Sequence, residues 1–392
     1  MLPSNILCLT FTENAAENMR LRLARYIGRD AYQVAIHTFN GFGHYVMNSY
    51  PEYFLQWREP QAADELTAQR LLEEILGRLP PDNPLAARSE DGAFYALGQV
   101  SRLIEDAKRN SLAPADLKKI LDHNQQAFRV MQPLLKRHWP KRLAAGSLPQ
   151  LRRFAAAVGR LEADSPPVAA VASFLNLAAG SLLKAAAQAD KNPGRGQTKP
   201  FTAWKNSWLA RDPDNQWRLK AEIHHPRLLA AAEVYELYQQ ALAVRGLVDF
   251  NDQIMNVVAA LERFPELRYN LQERFQYVLV DEFQDTNRSQ LLMTHYVTDA
   301  PVHEGRPNIM VVGDDDQAIF RFQGADIGNV GVFENTYRHP KIINLIKNYR
   351  SGRPILDVSK RISSQLSLSL ETQRGIVKKL VATVRAVRTS VD

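Results

Sequence analysis

Between Val278 and Asn287 the sequence reads VLVDEFQDTN, an apolar run that ends on two adjacent carboxylates, Asp281 and Glu282. If the run is a strand of an open parallel sheet, both acids stand at its carboxyl end, the edge where such sheets bind ligands. An acid pair there suits nucleotide hydrolysis: one carboxylate can hold Mg²⁺, usually through water, while the other orients and deprotonates the attacking water. Two acids also follow strands in many proteins without any chemistry. A second run, VVGDDDQAIFRFQGAD from Val311 to Asp326, combines Gly313 for a tight exit, three acids, the amide of Gln317, and Phe320 and Phe322 on either side of Arg321. A glutamine beside a γ-phosphate can sense its presence, and exposed rings next to it can stack on unpaired bases, worth about 1–3 kcal/mol per base. Two phenylalanines two apart are equally ordinary strand core.

The elements that would position these groups are legible as an interrupted α/β pattern. Ile6 to Phe11 has the composition of a short buried strand, and Ala15 to Ile27 follows with Met19, Leu23 and Ile27 at four-residue spacing. Val34 to Ile36 predicts a second strand leading into His37-Thr38-Phe39 and another helix. From about Glu65 to Ala243 the pattern becomes Ala- and Leu-rich helical periodicity, an all-helical insertion broken by loops. The strand pattern then resumes at Tyr277 to Val280 and Ile309 to Val312, two β-branched runs that each end in acids. Lys341 to Leu345 predicts one more strand, followed by Asn348-Tyr349-Arg350-Ser351 and a helix. The tail from Gly375 to Arg388 carries four Lys or Arg and reads as a solvated basic helix.

Length and composition bound these readings. A chain of 392 residues with 45% hydrophobic content can bury at least two cores. A net charge of +7 allows a polyanionic partner without requiring one. No stretch is long and apolar enough to span a bilayer, so no membrane partner is expected and the cytoplasm is the expected location. Cys8, the single cysteine, lies in an apolar run and reads as a small core residue.

DEFQDTN and GDDDQAIFRFQGA, at this separation, resemble motifs II and III of the superfamily-one DNA helicases of the UvrD/PcrA/Rep type. TFTENAAENM (Thr10 to Met19) resembles motif Ia, IHTFNGF (Ile36 to Phe42) motif Ib, and NYRS (Asn348 to Ser351) motif IV. The resemblance covers most of the chain. It implies an α/β fold with an incomplete RecA-like P-loop NTPase parallel sheet, an inserted helical subdomain and the start of a second RecA-like domain. The expected divisions are 1–64 and 244–335 for the two parts of the first RecA-like domain, 65–243 for the insertion, and 336–392 for the second domain.

By this resemblance Asp281 would coordinate Mg²⁺, Glu282 would be the general base, Gln317 would contact the γ-phosphate and the attacking water, and Arg350 would reach the γ-phosphate from the second domain. Phe11, Phe320 and Phe322 would contact bases of single-stranded DNA, with Thr12, His37 and Thr38 near its backbone. The implied cofactors are ATP and Mg²⁺. The implied partners are single-stranded DNA and single-strand/duplex junctions, and the implied activity is ATP-driven translocation and 3′ to 5′ unwinding.

The family commonly has Asn-Lys where this chain has Glu13-Asn14, and Trp-Arg where it has Phe322-Gln323, which should weaken DNA contact. No G-x-x-x-x-G-K-[ST] occurs in the 392 residues. The resemblance therefore implies a fragment that starts past the P-loop and stops before the last helicase motifs, very slow in ATP hydrolysis alone, with the missing portion of a split helicase as a candidate partner. Two other readings are a catalytically silent DNA- or protein-binding module and the motor part of a helicase–nuclease of the RecB/AddA type. The four polar residues of a hydrolytic set argue against a pure binder.

Overall fold

In the computed structural model the described residues are 2–54, 61–161, 165–168, 171–191, 196–314, 333–334, 336–337, 340–363 and 381–382. They divide into two compact units, one made of residues 1–60 and 250–392 and the other of residues 61–249.

The first unit is built on a four-stranded parallel sheet. Its strands are β1 (Ile6–Thr10), β2 (Ala35–Thr38), β7 (Tyr277–Val280) and β8 (Ile309–Val311), in the order β2-β1-β7-β8. Leu9 pairs with both His37 and Val280, and Val280 pairs with Val311, so all four carboxyl ends reach one edge. Alternation along the strands fills both faces. Leu7, Leu9, Val278 and Val280 join a core with α2 (Phe39–Ser49), α10 (Phe250–Arg263), α11 (Pro265–Arg274) and α12 (Arg288–Thr298). Cys8 and Ile36 turn to the other face, where Met19 and Leu23 of α1 (Glu13–Ile27) cover them. Burial pushes the Cys8 thiol up to about 11, which fits an inert core residue.

The observed strands agree with the apolar runs to within a residue or two. Strand β2 continues through His37 and Thr38, two residues beyond the expected run, and Phe39 opens α2. The strand expected at Lys341 to Leu345 is not formed. Ile343 is 69% and Leu345 76% exposed, and a β-branched run without a hydrogen-bonding neighbour gains nothing from extended pairing. Pairing begins two residues later, where β9 (Lys347–Asn348) lies parallel to β10 (Val381–Ala382), and helix Arg353–Ser363 follows. The helix expected from Gly375 to Arg388 lies mostly outside the described residues, and the two that are described, Val381 and Ala382, form strand β10 instead, because Lys347 and Asn348 offer them a parallel partner.

The second unit is mainly helical: α3 (Glu65–Gly77), α4 (Leu97–Arg109), α5 (Pro114–His138), α6 (Leu148–Gly159), α7 (Phe174–Lys191), α8 (Lys199–Trp208) and α9 (Lys220–Val244). It is not all-helical. β3 (Gln61–Ala62) pairs with β6 (Leu247–Val248), and β4 (Leu209–Arg211) forms an antiparallel hairpin with β5 (Trp217–Leu219). The hairpin exists because Asp212 organises its turn. One carboxylate oxygen accepts from the Gln216 amide at 2.8 Å and the other from Arg218 at 2.8 Å, while Asn215 takes a left-handed φ of 61°.

Two cores support this unit. One joins α3, α4 and α9 around Tyr235, and the other joins α5 to α8 around Phe154 and Trp204. In the first, Lys108 is fully buried, ion-paired to Asp249 and 5.0 Å from the Tyr238 ring centroid.

Candidate functional site

The acid pair closes β7 at the carboxyl edge. The Asp281 amide donates to Leu9 O at 2.9 Å, which holds the end of β7 against β1 and puts Asp281 at the position neighbouring Thr10. Thr10 is fully buried, and its hydroxyl has no hydrogen-bond partner among the described residues. Burial, then the adjacent Glu282 charge, raises the Asp281 carboxyl above the usual range, against a backbone hydrogen bond that lowers it. Asp285 is raised by the same two causes, and its Oδ1 is buried without a partner among the described residues.

Glu282 is exposed and sits in a left-handed conformation with φ 49°, which turns the chain sharply off the strand into the short 3-10 turn Phe283–Asp285. Its carboxylate is held by Gln284, whose Nε2 donates to Glu282 Oε2 at 2.7 Å and to Asp285 Oδ2 at 3.3 Å. The same amide reaches β8's exit: Gln284 Oε1 accepts from the Asp314 backbone at 3.0 Å. Gly313 is needed for this close approach, since a Cβ there would stand 2.6 Å from Gln284 Oε1. Gln284, only 4% exposed, therefore ties the two acidic strand exits together. Neither its bridging role nor the Gly313 contact is visible in the residue spacing, although both residues lie inside the two conspicuous runs.

The neighbouring strand ends present two helix N-termini. Thr12 caps α1, its hydroxyl accepting from Ala15 N at 3.1 Å, and Thr38 caps α2, accepting from Gly41 N at 3.0 Å. Capped N-termini of this kind carry a partial positive charge. Here Glu13 offsets it, because the Thr38 hydroxyl donates to Glu13 Oε1 at 2.7 Å. His37 packs beside the edge with its ring 5.4 Å from Tyr45, and burial, then the charges of Arg20 and Arg274, hold its pKa below the ordinary value despite an opposing pull from Glu13. Phe11 is half-exposed directly after β1.

The structure thus brings Asp281, Glu282, Phe11, Thr12, His37 and Thr38 to the carboxyl edge of one sheet. Arg350 stands apart from that sheet. It is exposed after β9, in a turn where Asn348 Oδ1 accepts from the amides of Arg350 and Ser351 at 2.9 and 2.8 Å. Gln317, Phe320 and Phe322 lie outside the described residues. Among the described residues no three His, Cys, Asp or Glu side chains converge as a metal cage.

Fold and edge define a parallel α/β protein of the kind that takes ligands where its strands end. A family model described as the UvrD/REP helicase N-terminal domain matches residues 1–146 and 150–338, and the chain belongs to that family. It is 39% identical over 135 residues to the ATP-dependent DNA helicase UvrD1 of Mycobacterium tuberculosis, covering 34% of this chain and 18% of that one. It is 40% identical over 131 residues to the ATP-dependent DNA helicase PcrA of Bacillus subtilis, covering 33% and 17%. The PcrA of Staphylococcus epidermidis is 38% identical over 143 residues, covering 36% and 19%. These matches span less than a fifth of each relative's length. Among the described residues no helix is long and apolar enough to cross a membrane.

Proposed function

We propose that this chain carries the Mg²⁺–ATP and single-stranded-DNA edge of an ATP-dependent 3′ to 5′ DNA helicase with a RecA-like first domain. Membership of the family supports the reading, and the juxtaposition of Asp281 and Glu282 with the capped ends of α1 and α2 carries it. In this reading Asp281 holds the Mg²⁺ of the bound nucleotide. That ion would neutralise the phosphate oxygens and complete the charge that burial denies Asp281. Glu282 takes the proton of the attacking water, and Gln284 fixes the orientation of that carboxylate. Gln317 senses the γ-phosphate, and Arg350 reaches it from the segment beyond β9. A guanidinium on a γ-phosphate lets nucleotide state draw domains together and release them. Phe11, Phe320 and Phe322 stack on bases, while the N-termini capped by Thr12 and Thr38 face the DNA backbone with His37 packed behind.

Anisotropy of a labelled oligothymidylate bound to the full 392-residue chain tests the DNA half. Phe11→Ala should weaken binding by about 1–3 kcal/mol, the worth of one base stack. An affinity unchanged by Phe11→Ala would remove Phe11 from the DNA path.

A further inference from the structure

In the helical unit α5 and α9 run side by side in opposite directions, and polar ties hold their seam toward both ends. Lys118 pairs with Glu236 at one end, and Gln132 Nε2 donates to Trp217 O at 3.0 Å at the other. Between these ties His225 of α9 is 6% exposed, and neither of its ring nitrogens has a hydrogen-bond partner among the described residues. Its ring stands edge-on to Phe128 of α5, 5.6 Å between centroids at 88°, and Phe128 meets Phe174 of α7 in the same way at 5.1 Å. A neutral imidazole already forgoes its hydrogen bonds there. An imidazolium would bring a second N–H and a full charge to the same dry place.

The charged groups around the ring do not relieve this. On α5 the titratable neighbours are Asp122, His123 and Arg129, of which Asp122 and Arg129 are exposed. Within α9, Glu222 one turn earlier is engaged by Arg218 of β5, and His224 is exposed. The start of α7 brings Phe174 and no charged residue before Lys184. Burial accordingly holds the His225 pKa below its ordinary value, against a weaker opposing pull from Asp122.

We infer that His225 is a pH-sensitive latch of the helical unit: neutral, it closes the α5–α9 seam beside Phe128, and a proton expels it toward water and Asp122, opening the seam at its hairpin end. The backbone is already weak there. Pro226 directly follows His225, and Pro133 lies near the same end of α5; each withholds an N–H from its helix. The opened chain binds the proton at ordinary histidine values. The closed seam is therefore fully stable above that range and loses stability as pH falls through it toward the lowered value of the closed form. The inference does not rest on the role proposed for Asp281 and Glu282.

Hydrogen exchange of the full chain, read by mass spectrometry as protection factors at about pH 7.5 and about pH 5.5, tests it. In the native protein, protection over the start of α9 and the facing half of α5 should fall severalfold at the lower pH. One proton with an ordinary value near 6.5 sets a limit of about tenfold over that range. His225→Phe, which keeps a ring and cannot be charged, should hold its protection. The far end of the seam, around Lys118 and Glu236, should change by less than about twofold in both proteins.

An equal loss of protection in the native protein and His225→Phe overturns the inference, as does native protection that does not fall. Should His225→Phe fold poorly, imidazole NMR of the native protein decides. His225 should titrate below the same histidine in a peptide of residues 220–229, and a midpoint at or above that of the peptide overturns the inference.

Discussion

Gly313→Ala isolates the contact that joins the two acidic strand exits. Its Cβ would stand 2.6 Å from Gln284 Oε1, 3.2 Å from Gln284 N and 3.3 Å from Phe283 N. The first distance is not tolerable, so the Gln284 side chain must leave. Its departure breaks the bond from Asp314 N at 3.0 Å and the charge-assisted bond to Glu282 at 2.7 Å. A neutral bond contributes about 0.5–1.5 kcal/mol and one to a charged group about 1.5–3, so Gly313→Ala should cost roughly 2–4.5 kcal/mol. The midpoint of thermal unfolding should then fall by about 4–18 °C for a unit of this size.

The cause is separable by a double-mutant cycle in urea. In a Gln284→Ala background the 2.6 Å clash no longer exists, and the remaining contacts require the backbone to give only a few tenths of an ångström. Gly313→Ala should then cost less than about 1 kcal/mol, a coupling of at least about 1 kcal/mol. Additivity within about 0.5 kcal/mol would refute the reasoning, because the two backbone nitrogens would then be what demands glycine.

Asp281→Asn should stabilise the ligand-free chain at neutral pH. The folded carboxyl is raised above its unfolded value, so the folded state holds the proton longer, and stability falls as pH rises through that window. The gain over native should vanish below the ordinary aspartate range and shrink on adding Mg²⁺ with nucleotide; melts across pH check both. Glu13→Gln removes a negative charge that Thr38 holds at the start of α2 and should raise oligonucleotide affinity about two- to fivefold, read by anisotropy. Asp249→Ala removes the carboxylate ion-paired to the fully buried Lys108 and should destabilise the helical unit by several kcal/mol, up to about 3–5, read from urea melts.

The parallel strands were legible because a strand buried on both faces must be apolar throughout, and Ile6–Thr10 and Tyr277–Val280 have no other way to be satisfied. The acids at their ends were legible for the same reason, since hydrophobicity stops where the sheet does. The β4–β5 hairpin escaped notice because its three-residue strands are too short to show alternation between two helices, and only the Asp212 turn marks it. Lys341 to Leu345 misled because β propensity says what fits a sheet without supplying a neighbouring strand. Gln284 was hidden in a different way: its partners Glu282 and Asp314 lie on two strands brought together by the fold, and no local spacing records that.

The account turns on Asp281 as the place where metal and nucleotide are taken. The direct measurement is electron paramagnetic resonance of Mn²⁺, standing in for Mg²⁺, titrated with ATP into the full chain and into its Asp281→Asn and Glu282→Gln variants. The account predicts a Mn²⁺–ATP complex bound by the native chain, weakened at least about tenfold, or 1.4 kcal/mol, by Asp281→Asn and nearly unchanged by Glu282→Gln. Equal Mn²⁺–ATP affinity in the native chain and Asp281→Asn would contradict it.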